Sequence, residues 1–365
     1  MRTFALVFAS VAFAGFFAAS AEAKKPILVN CATGKSVQAG VNSAKPGDTV
    51  FIFGGTCAGD VNITTDDITL SGNKMGNACN KADPSASADA TIDGTITVDG
   101  VRARIEHLEI TGGGDGVVIV NRATVRLVCN DISDNQGNGV IVVRSSNAVL
   151  RDNTVSGNGR RKFDEPFIFF DCGLFAADAS SVNSRGNTYE NNQYCAIEAD
   201  RQSSFRNGAF LPREPGPGAD PAEKDVITQK AGANPVAIEA FNGGLVDLRN
   251  ADVTGKINVT AVSSFRVDGE VHIVGNIEAT ANAVVRIRNR NFQFGGDRQV
   301  TFDGTLSCSS GSVSYFSSVQ CGQTCTGIIA GMQLRTPASR NGTDTGTHSD
   351  GGSTTGRRRS VGASR

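Results

Sequence analysis

The sequence predicts an all-β chain wound as a right-handed parallel β-helix solenoid with a short N-terminal capping helix, and three observations carry that expectation. The first is composition: 43 Gly, 20 Phe and no Trp among 365 residues, with abundant Val, Ile, Asn, Asp, Ser and Thr, describe short strands separated by tight polar turns. The second is an internal repeat. The segments GDGVVIVNRATVRLVCNDI from Gly114 and GNGVIVVRSSNAVLRDNTV from Gly137 superpose residue for residue. Gly116, Gly139 and Gly173 stand the same distance ahead of Asn130, Asn153 and Asn187. A period of roughly 20 residues holding several short strands is one coil of a β-helix, each strand pairing with its equivalent in the next coil. The third is a cap. An open solenoid end would offer unpaired strand edges, and SVQAGVNSAKPGDTV supplies Ser36 as an N-cap, Val37, Val41 and Ala44 at helical spacing, and Pro46-Gly47 as a stop.

Along the chain, residues 1–23 read as a signal peptide: Arg2, an apolar run, then Ala21-Glu22-Ala23 in the form signal peptidase cleaves. The mature chain then begins at Lys24 and is secreted or periplasmic. No second segment is apolar and long enough to span a bilayer, so no membrane insertion is expected. Residues 24–333 form the β-helix domain, with looser coils marked at Asn207, Asn250, Asp268 and Asn289, and from Ser307 a Cys-rich C-terminal cap. Residues 334–365 are a polar and basic tail that cannot bury enough surface to fold.

The recurring Asn tolerates left-handed turn geometry, and its amide can bond backbone one coil away, so Asn130, Asn153, Asn187 and Asn250 are expected to form a ladder. Nine cysteines suit an oxidising compartment, and their odd number leaves a thiol unpaired in a monomer. Cys129 stands apart from the others, whereas Cys172 and Cys195 fall on neighbouring coils one position out of column, close enough to bridge. With three His and no paired Cys spacing, a structural zinc site is not expected. A net charge of −1 gives no reason to expect nucleic acid as a partner.

The stretches SVQAGVNSAKPGDTV, VNITTDDITLSGN and RARIEHLEITGGGDGVVI resemble right-handed parallel β-helix proteins of the pectate-lyase-like superfamily, over roughly Val29 to Phe316. The resemblance implies the fold. It leaves activity open, since that superfamily includes lyases, hydrolases, epimerases and adhesins, and the chain lacks the polygalacturonase set of clustered Asp, G-H-G and R-I-K, the W-x-D-H of pectate lyases and the D-P-H-E of alginate epimerases.

Aligning LFAAD after Gly173 with AIEAD after Cys195 places Asn121, Arg144, Asp178 and Asp200 in one column. Strand alternation then sets Glu198 on the same outward face as Asp200. Glu239 joins if the IEA of VAIEAF aligns with the IEA of AIEAD. Asp178, Asp200 and Glu198, with Arg144, are therefore the candidate catalytic residues, at separations in the range of roughly 5–9.5 Å used by carboxylate pairs in glycosidases. The same oxygens of Asp178, Glu198 and Asp200 are an alternative calcium site, in which the resemblance to lyases and epimerases implies a bound uronate and proton abstraction assisted by Arg144 or Arg201. Insertions at Arg160 to Phe170 and Gly208 to Pro235 are expected beside it. The functional expectation is an extracytoplasmic protein that binds or acts on polysaccharide, acidic polysaccharide in particular. The alternative is a non-catalytic structural or adhesin-like rod, and enzymatic turnover is left open.

Overall fold

The computed structural model describes residues 25–72, 90–160, 171–208, 224–231, 236–288, 300–308, 313–317 and 320–326. The signal-peptide segment, the tail and most of the two insertions lie outside the described residues. Every strand pairing is parallel, and the successive coils build three stacked sheets. Sheet I contains Val140–Val142, Cys172–Ala176, Cys195–Ala199, Val236–Ala240, Ile257–Val259 and Ile277–Ala279 in that order. Sheet II contains Arg102–Glu106, Thr124–Val128, Asn147–Arg151, Ser181–Arg185 and Ser204–Asn207, then the first parts of Leu245–Thr254 and Ser264–Val274, and Val284–Arg288. Sheet III contains Asp131–Ser133, Thr154–Ser156, Thr188–Glu190 and Asp225–Thr228, which then pairs with the latter part of Leu245–Thr254.

The core is a stack of columns, because one inward position per strand repeats in register at every coil. In sheet I, Val117, Val140, Leu174, Ile197, Ile238, Ile257 and Ile277 form one such column, each fully buried. Burying side chains of this size stabilises by about 1.5–3 kcal/mol each. At the N-terminal end the helix Val37–Ser43 covers the stack, with Ser36 Oγ accepting from the Ala39 N–H and with Val37, Val41 and Ala44 buried. Among the described residues no helix is long and apolar enough to cross a membrane.

Two asparagine ladders hold the corners. Asn130 donates to Asn153 Oδ1, and Asn153 to Asn187 Oδ1, in both cases through backbone N and Nδ2. Asn187 continues to Asp225, not to Asn250. Asn250 is outside the ladder, and its backbone N–H donates to Asn207 Oδ1. The strand Asp225–Thr228 also corrects the reading of Gly208 to Pro235 as a single insertion, since a coil strand lies inside it. A second ladder, Asn135, Asn158 and Asn192, repeats the same bonds one corner away. It explains the glycine column. A Cβ at Gly116, Gly139 or Gly173 would come within 2.8, 2.7 or 2.4 Å of the ladder amide of Asn135, Asn158 or Asn192. Gly116, Gly139 and Gly173 stack as the sequence register required.

Cysteine pairing departs from expectation at two places. Cys172 pairs with Cys195 in a disulfide, but directly in column, with Cα atoms 4.6 Å apart. Cys31 bridges Cys57, and Cys129 is disulfide-bonded as well, not alone. Among the described residues Cys308 is a free thiol. The C-terminal segment read as a cap continues the solenoid, because Val313–Ser317 and Gln320–Thr326 pair in parallel with Val284–Arg288 and Val300–Cys308.

Candidate functional site

The in-column disulfide shifts the sequence alignment by one residue. Leu174 faces Ile197 and Phe175 faces Glu198, so Asp178 shares its column with Arg201, and Ala177 shares its column with Asp200. Asn121, Arg144, Asp178, Arg201 and Asn242 thus form one column, and each has left-handed backbone, with φ from 45 to 58°. The next residue in each coil also has positive φ: Arg122, Ser145, Ala179, Gln202 and Gly243. This is a two-residue corner between sheets I and II. Strand alternation stops there, and the reading of Asp178 and Asp200 as one column does not hold, because Asp178 lies opposite Arg201.

The residues predicted for the site separate accordingly. Arg144 is exposed at the corner and donates to Asn121 Oδ1 at 3.3 Å, with no ion pair to Asp178. The cation beside the acids is Arg201, whose Nη1 lies 3.2 Å from Asp178 Oδ1 and whose Nε lies 2.9 Å from Asp200 Oδ2. A guanidinium between two of the three proposed calcium ligands leaves no place there for a second cation. Among the described residues the one group of donor side chains with ligand atoms within 4.8 Å of one another is Cys172, Cys195 and Glu198, and its two sulfurs are spent in the disulfide. The residues do not fit calcium held by Asp178, Glu198 and Asp200.

What the register does build is a column of carboxyls on the outer face of sheet I. Glu198 faces Glu239, Glu239 faces Asn258, and Asn258 faces Glu278, while toward the N-terminus the same column holds Phe175, Ile141 and Val118. The expected alignment of the two IEA segments is met. The third occurrence, Ile277-Glu278-Ala279, is the signal in the sequence that could have placed Glu278 as well. Adjacent coils are about 4.8 Å apart, so Glu198 and Glu239 are near-contact neighbours.

Their environments differ. Glu198 is 2% exposed, with Oε2 3.5 Å from Cys172 Sγ. Burial, with Glu239 and Asp200 nearby, pushes its pKa up to about 8 against the pull of Arg201, so it holds its proton at neutral pH. Burial raises Glu239 too, but a hydrogen bond from Tyr194 and the charge of Lys256 oppose the rise. Lys256 also pairs with Glu278 at 2.8 Å. Tyr194 packs against the Cys172, Cys195 and Val236 cluster, and burial together with Glu239 raises its own pKa. Three buried oxygens in this region have no hydrogen-bond partner: Glu239 Oε2, Asn258 Oδ1 and Thr260 Oγ1. Asn258 and Thr260 are two apart on one strand continuation and face the same side. An unpaired buried polar atom costs about 1–3 kcal/mol. Tyr194, Lys256, Asn258 and Thr260 were not singled out from the sequence, because none belongs to a recurring motif.

Residues 53–210 match the family described as right handed beta helix region. With the register above, this defines the chain as a right-handed parallel β-helix protein. No curated protein matches the sequence. Three solved structures are similar. One is Geobacillus virus E2 ORF18, at 12% identity and TM-score 0.39, covering 80% of this chain; this chain spans 62% of that protein's length. An alginate lyase from Paenibacillus sp. str. FPU-7 has 14% identity and TM-score 0.37, covering 83% of this chain and 97% of its own. The Azotobacter vinelandii mannuronan C-5 epimerase AlgE4 A-module has 14% identity and TM-score 0.39, covering 87% and 96%.

Proposed function

We propose that this is an extracytoplasmic polysaccharide-binding protein whose carboxyl column, Glu198 and Glu239 with Tyr194, Asn258 and Thr260, engages a glycan by hydrogen bonding and by acid–base chemistry. The observation that carries the reading is the registered pair of glutamates in unequal environments beside three unpaired buried oxygens. A protonated Glu198 can donate, Glu239 with Tyr194 and Lys256 beside it is the better proton acceptor, and paired carboxyls set apart in this way are the ingredients of glycosidic bond cleavage. The unpaired oxygens accept hydrogen bonds, and sugar hydroxyls supply the donors. A strand stride of about 4.8 Å is comparable with the length of one sugar in an extended chain, so successive coils can meet successive residues. The disulfides and the N-terminal Ala21-Glu22-Ala23 segment support the extracytoplasmic reading.

The test is a panel of neutral, amino and acidic polysaccharides, followed by calorimetry for binding and by assays for new reducing and unsaturated ends. Binding of at least one glycan, lost in Glu239→Gln and in Asn258→Ala with the fold retained, is expected. Binding unaltered by either substitution would remove the site, and no binding to any glycan would favour the structural rod.

A further inference from the structure

The outer face of sheet II carries at least one arginine on each of eight successive strands, the first holding both Arg102 and Arg104. Arg104, Arg126, Arg206, Arg266 and Arg286 share one outward column. The coils at which that column holds Val149, Asn183 or Asp247 place their arginine two residues further along the same face, as Arg151, Arg185 and Arg249. No coil in the run lacks one. The face is only partly neutralised: Glu106 pairs with Arg104, Asp152 with Arg151 and Asp247 with Arg249. Arg126, Arg206 and Arg266 are exposed and make no ion pair among the described residues.

We propose that this arginine face binds a linear polyanionic polysaccharide laid along the solenoid axis. Guanidinium groups recur once per stride of about 4.8 Å, the arrangement that meets a polymer bearing one carboxylate per sugar, and each can take a carboxylate through two parallel N–H donors. Nucleic acid fits less well. Duplex DNA repeats its phosphates at about 3.4 Å per strand, and none of the outward positions on these strands from Arg102 to Arg286 is aromatic, so bases have nothing to stack on. The surface is separate from the carboxyl column on sheet I and does not rest on the function proposed for it. It serves to hold the protein on an anionic matrix whether or not sheet I acts on that polymer.

The experiment uses the mature chain against polygalacturonate, single-stranded DNA and vesicles of anionic phospholipid, titrated from low to high salt. Polygalacturonate is expected to bind most tightly and to weaken as salt rises. The triple substitution Arg126→Gln, Arg206→Gln, Arg266→Gln should weaken that binding at least tenfold and flatten its salt dependence, with circular dichroism and the melting temperature unchanged. The control pair Lys35→Gln, Arg160→Gln removes two exposed cations away from this face and should change binding less than twofold. Glu239→Gln should also leave it unchanged, which keeps the outcome distinct from that for sheet I. The proposal is overturned if the control pair weakens binding as much as the triple variant, if polygalacturonate does not bind, or if DNA or vesicles bind as tightly.

Discussion

Sheets I and II are built from the same coils, yet the outer face of one gathers carboxyl groups and that of the other gathers arginines. On sheet I the acids Glu198 and Glu239 are drawn under a disulfide and Tyr194, so burial decides their protonation. On sheet II the arginines stand in or near water, where screening makes each local ion pair worth about 0–1 kcal/mol. One repeat can thus carry carboxyl groups on one side and guanidinium groups on another, because outward positions are free of the packing that fixes the inward columns. A net charge of −1 conceals this segregation.

The largest effect expected on either face comes from the disulfide that buries the acids. Replacing Cys172 and Cys195 with Ala should cost about 3 kcal/mol in denaturant unfolding, from restored chain entropy, and should lower the Glu198 pKa as solvent enters. A loss below about 0.5 kcal/mol would mean the bridge does not organise sheet I. Next comes the ladder behind that sheet. Asn158→Ala removes bonds to Asn135, Asn192 and the Ile132 carbonyl, and should cost about 2–3 kcal/mol, whereas Asn250→Ala, outside the ladder, should cost less than 1. Equal costs at the two positions would mean that the ladder bonds of Asn158 add nothing beyond what an asparagine outside a ladder supplies.

A comparable effect depends on pH. Because the folded protein keeps the Glu198 proton up to about 8 while an unfolded glutamate releases it near 4.5, stability should fall as pH rises across that interval and level off on either side. Glu198→Gln removes the dependence and should raise stability by on the order of 2–3 kcal/mol at pH 8, with little change at pH 4. A constant difference across the range would show that Glu198 titrates normally. The smallest effect belongs to sheet II: Arg206→Gln should shift stability by less than about 0.5 kcal/mol in thermal unfolding. A large loss would mean these arginines hold the fold together and are not held ready for a partner.

The sequence by itself determined the solenoid. Glycine and asparagine recur at fixed offsets because the corner ladder admits no side chain at Gly116, Gly139 or Gly173, and such steric demands are written into local sequence. It also placed the capping helix and the Cys172–Cys195 bridge, and the repeated IEA aligned Glu198 with Glu239. The tertiary structure alone decided the rest. LFAAD and AIEAD look equivalent, but the in-column disulfide and the match of Leu174 with Ile197 move them by one residue, and in a parallel stack a one-residue shift exchanges Asp200 for Arg201 opposite Asp178. The arginine face was hidden for the same reason. Its members are separated by unequal stretches of chain, and only the pairing of coil on coil, set by the buried columns, brings them into line.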